Sequence, residues 1–272
     1  MVEGLVRRTH ITRKLMLGLA GVALAIGVFL SVRSDAFLVW MITHFHESWA
    51  RLSLMAGADP NARDGSHATV LMLASSAYEA SVVESLLKHG AQIDAIDDHG
   101  SQAIHYAAAS ADQEGSTVRL LLKWGADPEA KTRERDVPLA MSISEMSGST
   151  EANALLLIAH SKNVNQPDSQ TGDTPLMIAT TEASLPVLRS LLRAGANPNL
   201  PNHRGDLPVE LVVGMPDRLG LLLEYGANPC LKMGDVPSAY EKAKKDPTLW
   251  QVAYSFERRY KGCAAHGQTI SN

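Results

Sequence analysis

A short pattern recurs along this chain at a nearly constant interval, and it restricts the fold more than any bulk property does. Gly57-Ala58-Asp59-Pro60, Gly125-Ala126-Asp127-Pro128, Gly195-Ala196-Asn197-Pro198 and Gly226-Ala227-Asn228-Pro229 share one form, Gly-Ala-Asp/Asn-Pro. Gly90-Ala91-Gln92-Ile93-Asp94 is a looser copy, and Ser161-Lys162-Asn163-Val164-Asn165 looser still. Successive copies begin 33, 35, 36, 34 and 31 residues apart. A second pattern follows at the same interval: Thr69-Val70-Leu71-Met72, Gln102-Ala103-Ile104-His105, Val137-Pro138-Leu139-Ala140, Thr174-Pro175-Leu176-Met177, Leu207-Pro208-Val209-Glu210 and Val236-Pro237-Ser238-Ala239. Two patterns locked to one period predict a stack of similar units, each packing on its neighbours.

Each unit reads as a helix pair. Threonine before proline suits a helix start, because the hydroxyl accepts from free backbone N–H groups and proline has no N–H to leave unpaired. A short apolar helix such as Leu176-Met177-Ile178-Ala179 follows. The second helix carries paired or tripled leucines: Leu86-Leu87, Leu120-Leu121-Leu122, Leu155-Leu156-Leu157, Leu191-Leu192 and Leu221-Leu222-Leu223. Gly90, Gly125, Gly195 and Gly226 then supply the left-handed residue that ends a helix. Polar stretches such as Asn199 to Asp206 suit projecting hairpin loops.

The period and the Thr-Pro-Leu start resemble the ankyrin repeat, over about residues 48–245. The resemblance implies an all-α ankyrin-repeat solenoid of about six repeats. Residues 36–56 are expected to be a partial capping repeat, 57–235 the repeats, 236–260 a C-terminal cap and 261–272 a mobile tail. In that cap, Lys242, Lys244 and Lys245 would face solvent, while Trp250, Tyr254 and Phe256 pack back on the last repeat. The family's histidine, a structural hydrogen bonder, is matched only by His105; Met72, Ala140, Met177 and Glu210 stand at its equivalents. Ser149 to His160 is a divergent second helix, and the loop after it has lost its glycine. The fourth and fifth repeats are therefore expected to stack imperfectly.

Leu15 to Val32 is a run of eighteen residues without a charge. At about 1.5 Å per helical residue it spans roughly 27 Å, close to the hydrocarbon thickness of a bilayer. Arg7, Arg8, Arg13 and Lys14 precede it, and that excess predicts residues 1–14 in the cytoplasm and the rest translocated. An uncleaved transmembrane signal anchor over 15–32 is the preferred reading; cleavage near Ser34-Asp35-Ala36 is the other. Ala36 to Phe45 is too short to span, and reads as the first helix of the folded domain or as an interfacial segment with Trp40 at the headgroups. The chain carries a net charge of −4, and residues 36–272, with 20 basic and 27 acidic residues, a net −7. Such a body repels nucleic acid. The expected location is a bacterial inner membrane, single-pass, with the C-terminal domain in the periplasm.

Signatures of catalysis are scarce. Gly-x-Ser-x-Gly, Walker and His-Glu-x-x-His motifs are absent. Ser85-Leu86-Leu87-Lys88 matches a Ser-x-x-Lys spacing but falls on a leucine-rich helix. His44-x-His46-Glu47 has metal-ligand residue types, yet i and i+2 do not share a helix face. No catalytic residue, metal, cofactor or small-molecule substrate is expected. Cys230 and Cys263 are the only cysteines. Either they remain thiols, or in an oxidising compartment they close a loop whose entropy contributes roughly 3–4 kcal/mol.

The resemblance implies noncovalent binding of one protein through hairpin tips and the exposed side of the first helices. By position the tips hold Arg63 and Ser66, Ile96, Asp98 and His99, Lys131, Arg133 and Glu134, Gln170 and Asp173, then His203, Arg204 and Asp206. Ser76, Ser110, Ser144, Glu145, Thr181 and Glu182 would be the exposed helix positions. Arg133 and Arg204 are the first choices for energetic anchors. Leu73, Tyr106, Met141, Ile178 and Leu211 recur once per repeat; that position resembles an inter-repeat core leucine, with Tyr106 the exception expected to bind. An anchored ankyrin module of this kind is similar to bacterial immunity proteins that neutralise secreted toxins, including phospholipase effectors of type VI secretion, by occluding the active site. The alternative is a periplasmic scaffold or chaperone for an envelope or peroxide-detoxifying enzyme.

Overall fold

The computed structural model describes residues 34–44, 47–77, 79–144, 151–231 and 237–245. The predicted span 15–32 and its basic flank lie outside the described residues. So do His46, Glu145, Cys263, the aromatics expected in the C-terminal cap, and the tail. No helix among the described residues is long and apolar enough to cross a membrane. The chain divides into two compact units, Met1–Gln92 and Ile93–Asn272.

The first unit contains α1 (Asp35–Thr43), α2 (Glu47–Met55), α3 (Val70–Ser76) and α4 (Ala80–Lys88). α1 packs on α2 and α3, α2 on α4, and α3 on α4. Leu38, Ile42, Leu54, Leu71, Val82 and Leu86 fill the space between them. Thr69 starts α3 as a cap: its hydroxyl accepts from the Met72 N–H at 3.3 Å, and the Met72 sulfur accepts from the Thr69 N–H at 3.3 Å.

The second unit alternates short and long helices: α5 (Ala103–Ala108), α6 (Ser116–Lys123), α7 (Pro138–Ser144), α8 (Glu151–His160), α9 (Pro175–Thr181), α10 (Leu185–Arg193), α11 (Pro208–Leu211), α12 (Pro216–Glu224) and α13 (Ala239–Lys245). The first helices α5, α7, α9 and α11 pack in one row, and α6, α8, α10 and α12 in a second row behind them. Proline opens α7, α9 and α11.

The repeated Gly-Ala-Asp/Asn-Pro-Asn segment has a definite structural task. Its glycine ends the second helix in the left-handed region, with φ near 90° at Gly57, Gly90, Gly125, Gly195 and Gly226. The Asp or Asn two residues later accepts the N–H two residues on, as Asp59 does from Asn61 (2.9 Å) and Asn197 from Asn199 (3.0 Å). The closing asparagine then reaches the next repeat. Asn61, Asn165 and Asn199 accept the N–H of Gln92, Asn197 and Asn228 at 2.7–2.8 Å and donate to the carbonyls of Gly90, Gly195 and Gly226. Where glycine is lost, at Ser161, Glu129 replaces this tie by accepting from the N–H groups of Lys162 and Asn163. α8 packs against both α6 and α10. A cavity of about 350 Å³ beside this junction is lined by Asp127, Glu129, Ser161 and Asn163 among others.

One expectation needs correction at the C-terminal end. Lys242 is not a purely solvent-facing base: its ammonium lies 2.6 Å from Glu210, whose side chain is 4% exposed. Burial raises the Glu210 carboxyl above its ordinary value, with the lysine opposing that rise. A carboxylate at the histidine-equivalent position thus ties α13 to α11. Cys230 is buried and disulfide-bonded.

Candidate functional site

In the second unit the first helices α5, α7 and α9, with the residues that end them, each leave two positions short of full burial, three residues apart. Tyr106 and Ala109, Met141 and Ser144, and Ile178 and Thr181 are half-buried or exposed, while the residues between them are buried. Leu211 is half-buried in the same register. The recurring apolar residue is therefore not an inter-repeat core leucine. The helix–helix contacts use the residues on either side of it (His105 and Ala107, Ala140 and Ser142, Met177 and Ala179), which turns its own side chain away. Ser110, expected on this face, is 5% exposed and bonded to the Ala107 carbonyl; Ala109 holds the open position. Leu73 and Ser76 are the corresponding open pair on α3 in the first unit.

Carboxylates surround this apolar row. A depression of about 280 Å³ is lined by Met141, Ile178, Ala140 and Ser144 together with Asp136, Asp168, Gln170 and Thr171. Burial raises the Asp136 carboxyl, and the neighbouring charges of Glu134 and Asp168 raise it further. No cation compensates it among the described residues. Asp168 has the opposite balance. Burial alone would raise it, but hydrogen bonds from the Thr171 hydroxyl and the N–H groups of Thr171, Gln170 and Gly172 outweigh that and lower it. Asp97 behaves likewise, held down against burial by the Tyr106 hydroxyl at 2.7 Å and the N–H groups of Ser101 and His99. Tyr106 is thereby fixed by Asp97, with its ring beside the row.

The hairpin tips are built by a device that the sequence displays as Asp/Asn-x-x-Gly. Asp97 accepts the N–H groups of His99 and Ser101, and Asn202 those of Arg204 and Asp206. Gly100 and Gly205 then take positive φ of 75° and 82°. Asp64 does the same in the first unit, where His67 carries φ 60°, and Arg135 carries φ 69° at the tip that Thr132 closes. Neighbouring tips are joined through the backbone, Arg133 N–H to His99 C=O at 2.8 Å and His203 N–H to Thr171 C=O at 2.9 Å.

The tip residues predicted to bind are thus distributed as follows. Arg63, Ser66, Asp98, His99, Lys131, Arg133, Glu134, Gln170, His203 and Arg204 are exposed; Asp173 and Asp206 are half-buried. Several are joined to each other: Lys131 to Gln166 (3.1 Å), Glu134 to Gln170 (3.4 Å), Asp173 to Asn202 (2.8 Å) and Arg204 to Asp206 (3.0 Å). Arg63 donates to the His67 carbonyl, and Ser66 to Asp64. Residues 63 and 66 belong to the first unit and the remainder to the second. Asp136 and Asp168 were missed by sequence reading: one stands two residues before the proline that opens α7 and the other seven before the proline that opens α9, so no shared offset marks them.

The other candidates have structural roles. His105 is fully buried: Nδ1 accepts from the Gln102 N–H at 3.0 Å, which leaves Nε2 to donate to the Ala130 carbonyl at 3.0 Å. Burial lowers its pKa against those bonds. Lys88 pairs with Glu84 at 2.8 Å and not with Ser85. His44 stacks on Trp40 and bonds to the Trp40 carbonyl at 2.8 Å. No group of three His, Cys, Asp or Glu side chains among the described residues is placed to hold a metal ion.

Comparison with known proteins agrees with this architecture. A model of three ankyrin repeats matches residues 39–132, and a single-repeat model matches 171–203. An ankyrin repeat-containing protein of Treponema pallidum (strain Nichols) is 36% identical over 113 residues, 40% of this chain and 38% of that protein. The nuclear factor NF-kappa-B p105 subunit of Gallus gallus is 30% identical over 208 residues, 72% of this chain but 20% of that protein. The chain thus spans well under half the length of either relative. The human ASB11 ankyrin repeat domain superposes with a TM-score of 0.67 at 20% identity, covering 81% of this chain and 97% of that one. The ankyrin repeat domain of Bcl-3, a member of the IkappaB family, gives 0.61 at 24% identity over 75% and 92%.

Proposed function

We propose that this chain, an ankyrin-repeat protein by its matches at 39–132 and 171–203, binds one protein partner noncovalently on the open row of the second unit. Ankyrin repeats are protein–protein interaction modules. The observation that carries the reading here is the row of Tyr106, Met141, Ile178 and Leu211, each left short of full burial, bordered by Asp136 and by rigid hairpin tips. Large apolar residues left open at one register of successive helices form an association surface. The uncompensated Asp136 favours a partner segment that presents a lysine or arginine between apolar side chains. Arg133 makes no hydrogen bond or ion pair through its guanidinium among the described residues and adds an anchor at the rim.

The finer reading is an immunity protein, held by residues 15–32 in a bacterial inner membrane with its repeats in the periplasm. There it meets a secreted phospholipase-type toxin and covers the toxin's active site. This step rests on the apolar run with its basic flank, and on functional analogy. The disulfide bond of Cys230, which an oxidising compartment sustains, supports the same reading.

The test is capture of the tagged full chain from detergent-solubilised membranes, with mass spectrometry of what is bound. The reading expects one secreted hydrolase in stoichiometric amount, lost when Met141 and Ile178 are both changed to Asp. Envelope assembly or stress proteins in its place would overturn the immunity role and favour a scaffold. A hydrolase retained equally by the double variant would overturn the assignment of the surface.

A further inference from the structure

The first helix pair exposes an apolar end face. On α2, Trp49 (47%), Leu52 (43%) and Met55 (76%) follow at intervals of three and lie on the side opposite the buried Ala50, Ser53 and Leu54. Trp40 on α1 is also 47% exposed. The register of the repeats shows what is unusual here. Counted back from the helix-ending glycine, Trp49 corresponds to Val82 in α4 and Val187 in α10, both 0% exposed. Those valines are closed by the second helix of the preceding repeat, α2 over α4 and α8 over α10. Leu52 and Met55 correspond to Ser85 and Lys88, a half-buried and an exposed polar side chain. At α2, then, the position that a preceding repeat would cover holds a tryptophan, Leu52 is exposed where its counterparts Leu120 and Leu221 are half-buried and buried, and a methionine stands where α4 and α6 expose Lys88 and Lys123. A terminal repeat normally turns a polar face outward. This one does not.

The chain outside the described residues indicates the occupant. The uncharged run Leu15–Val32 ends two residues before α1 begins at Asp35. An extended two-residue link reaches at most about 10 Å. A helix pair on so short a tether stays at the level of the headgroups if the run crosses a bilayer, and tryptophan is the side chain enriched at that depth. We infer that the face formed by Trp49, Leu52 and Met55 on α2, with the exposed Trp40 on the adjoining helix, rests in the interfacial layer of a phospholipid bilayer. The repeat array would then start at the membrane surface with no free stalk. This inference rests on residues 15–32 being a membrane span.

The test uses the full chain reconstituted into phosphatidylethanolamine–phosphatidylglycerol vesicles, some with bromine-labelled acyl chains. Two variants keep a single tryptophan, Trp49 in one and Trp124 in the other, with the remaining tryptophans changed to Phe. The proposal expects co-flotation with the vesicles, loss of most Trp49 emission in brominated lipid, and no change at Trp124. Leu52→Asp with Met55→Asp should abolish that quenching while leaving the far-UV helix signal intact. Co-flotation with an unquenched Trp49 would overturn the interfacial contact and leave the anchor standing. Failure to co-float would overturn both. A Trp49 protected from aqueous acrylamide yet unquenched by bromolipid would assign the face to a protein surface, either a preceding segment of this chain or a second copy.

Discussion

At the scale of single residues, the position after the helix start shows how one structural task is met by different chemistry. His105 meets it with two ring nitrogens, Met72 with a sulfur acceptor, and Glu210 with a carboxylate paired to Lys242. Removing His105 deletes two buried hydrogen bonds and leaves a void, so His105→Ala should destabilise the fold by about 2–4 kcal/mol, read from urea unfolding. Its pKa lies below the ordinary 6.5 in the folded protein. The folded state therefore favours the neutral ring, and its contribution is complete above pH 6.5 and lost as pH falls through the lowered value. Wild type should weaken over that window relative to His105→Ala. A difference that is flat with pH would contradict the burial argument. Arg135 offers a converse case, since it holds φ 69° where sister tips use glycine. Arg135→Gly should raise stability by about 0.5–1 kcal/mol in thermal unfolding. Gly172→Ala should do the opposite and cost about 2–3 kcal/mol, because a Cβ there lies 2.5 Å from the His203 ring at φ 74°.

Elements were legible where their signals are local. Threonine and proline marked helix starts and glycine marked helix ends, because capping and left-handed φ depend on one or two residues. The open row was misjudged for a physical reason. Helical period groups Tyr106, Met141 and Ile178 on equivalent faces, but only packing decides which face meets a neighbour. Ser110 missed by one residue on the same ground. Ties between distant residues left no local mark. Arg218 on α12 donates to the carbonyls of Ala179, Thr180 and Ala183 at the end of α9, 35–39 residues away. Asn153 on α8 does the same for Ala107 and Ser110 behind α5. These side chains supply donors that the short first helices lack at their C-terminal ends. Arg218→Leu should lower stability by about 2 kcal/mol, and amide exchange should quicken around 179–183 before it does at α5. Uniform loss of protection across the second unit would contradict this local role.

For the whole molecule, the repeat array offers a binding surface that is already ordered, so association loses little conformational entropy. The charge of residues 36–272 is net negative, and the open row adds carboxylates beside apolar side chains. These features favour a protein partner with a basic segment over nucleic acid. Single substitutions at exposed tips such as Arg204, already paired with Asp206, should matter less than changes within the row. The most direct test is titration calorimetry of the captured partner against wild type and the Met141→Asp, Ile178→Asp double variant, with circular dichroism as the fold control. The account predicts a one-to-one complex whose Kd rises at least about 100-fold in the double variant while the helix signal is unchanged. An unaltered Kd in the folded double variant would contradict it.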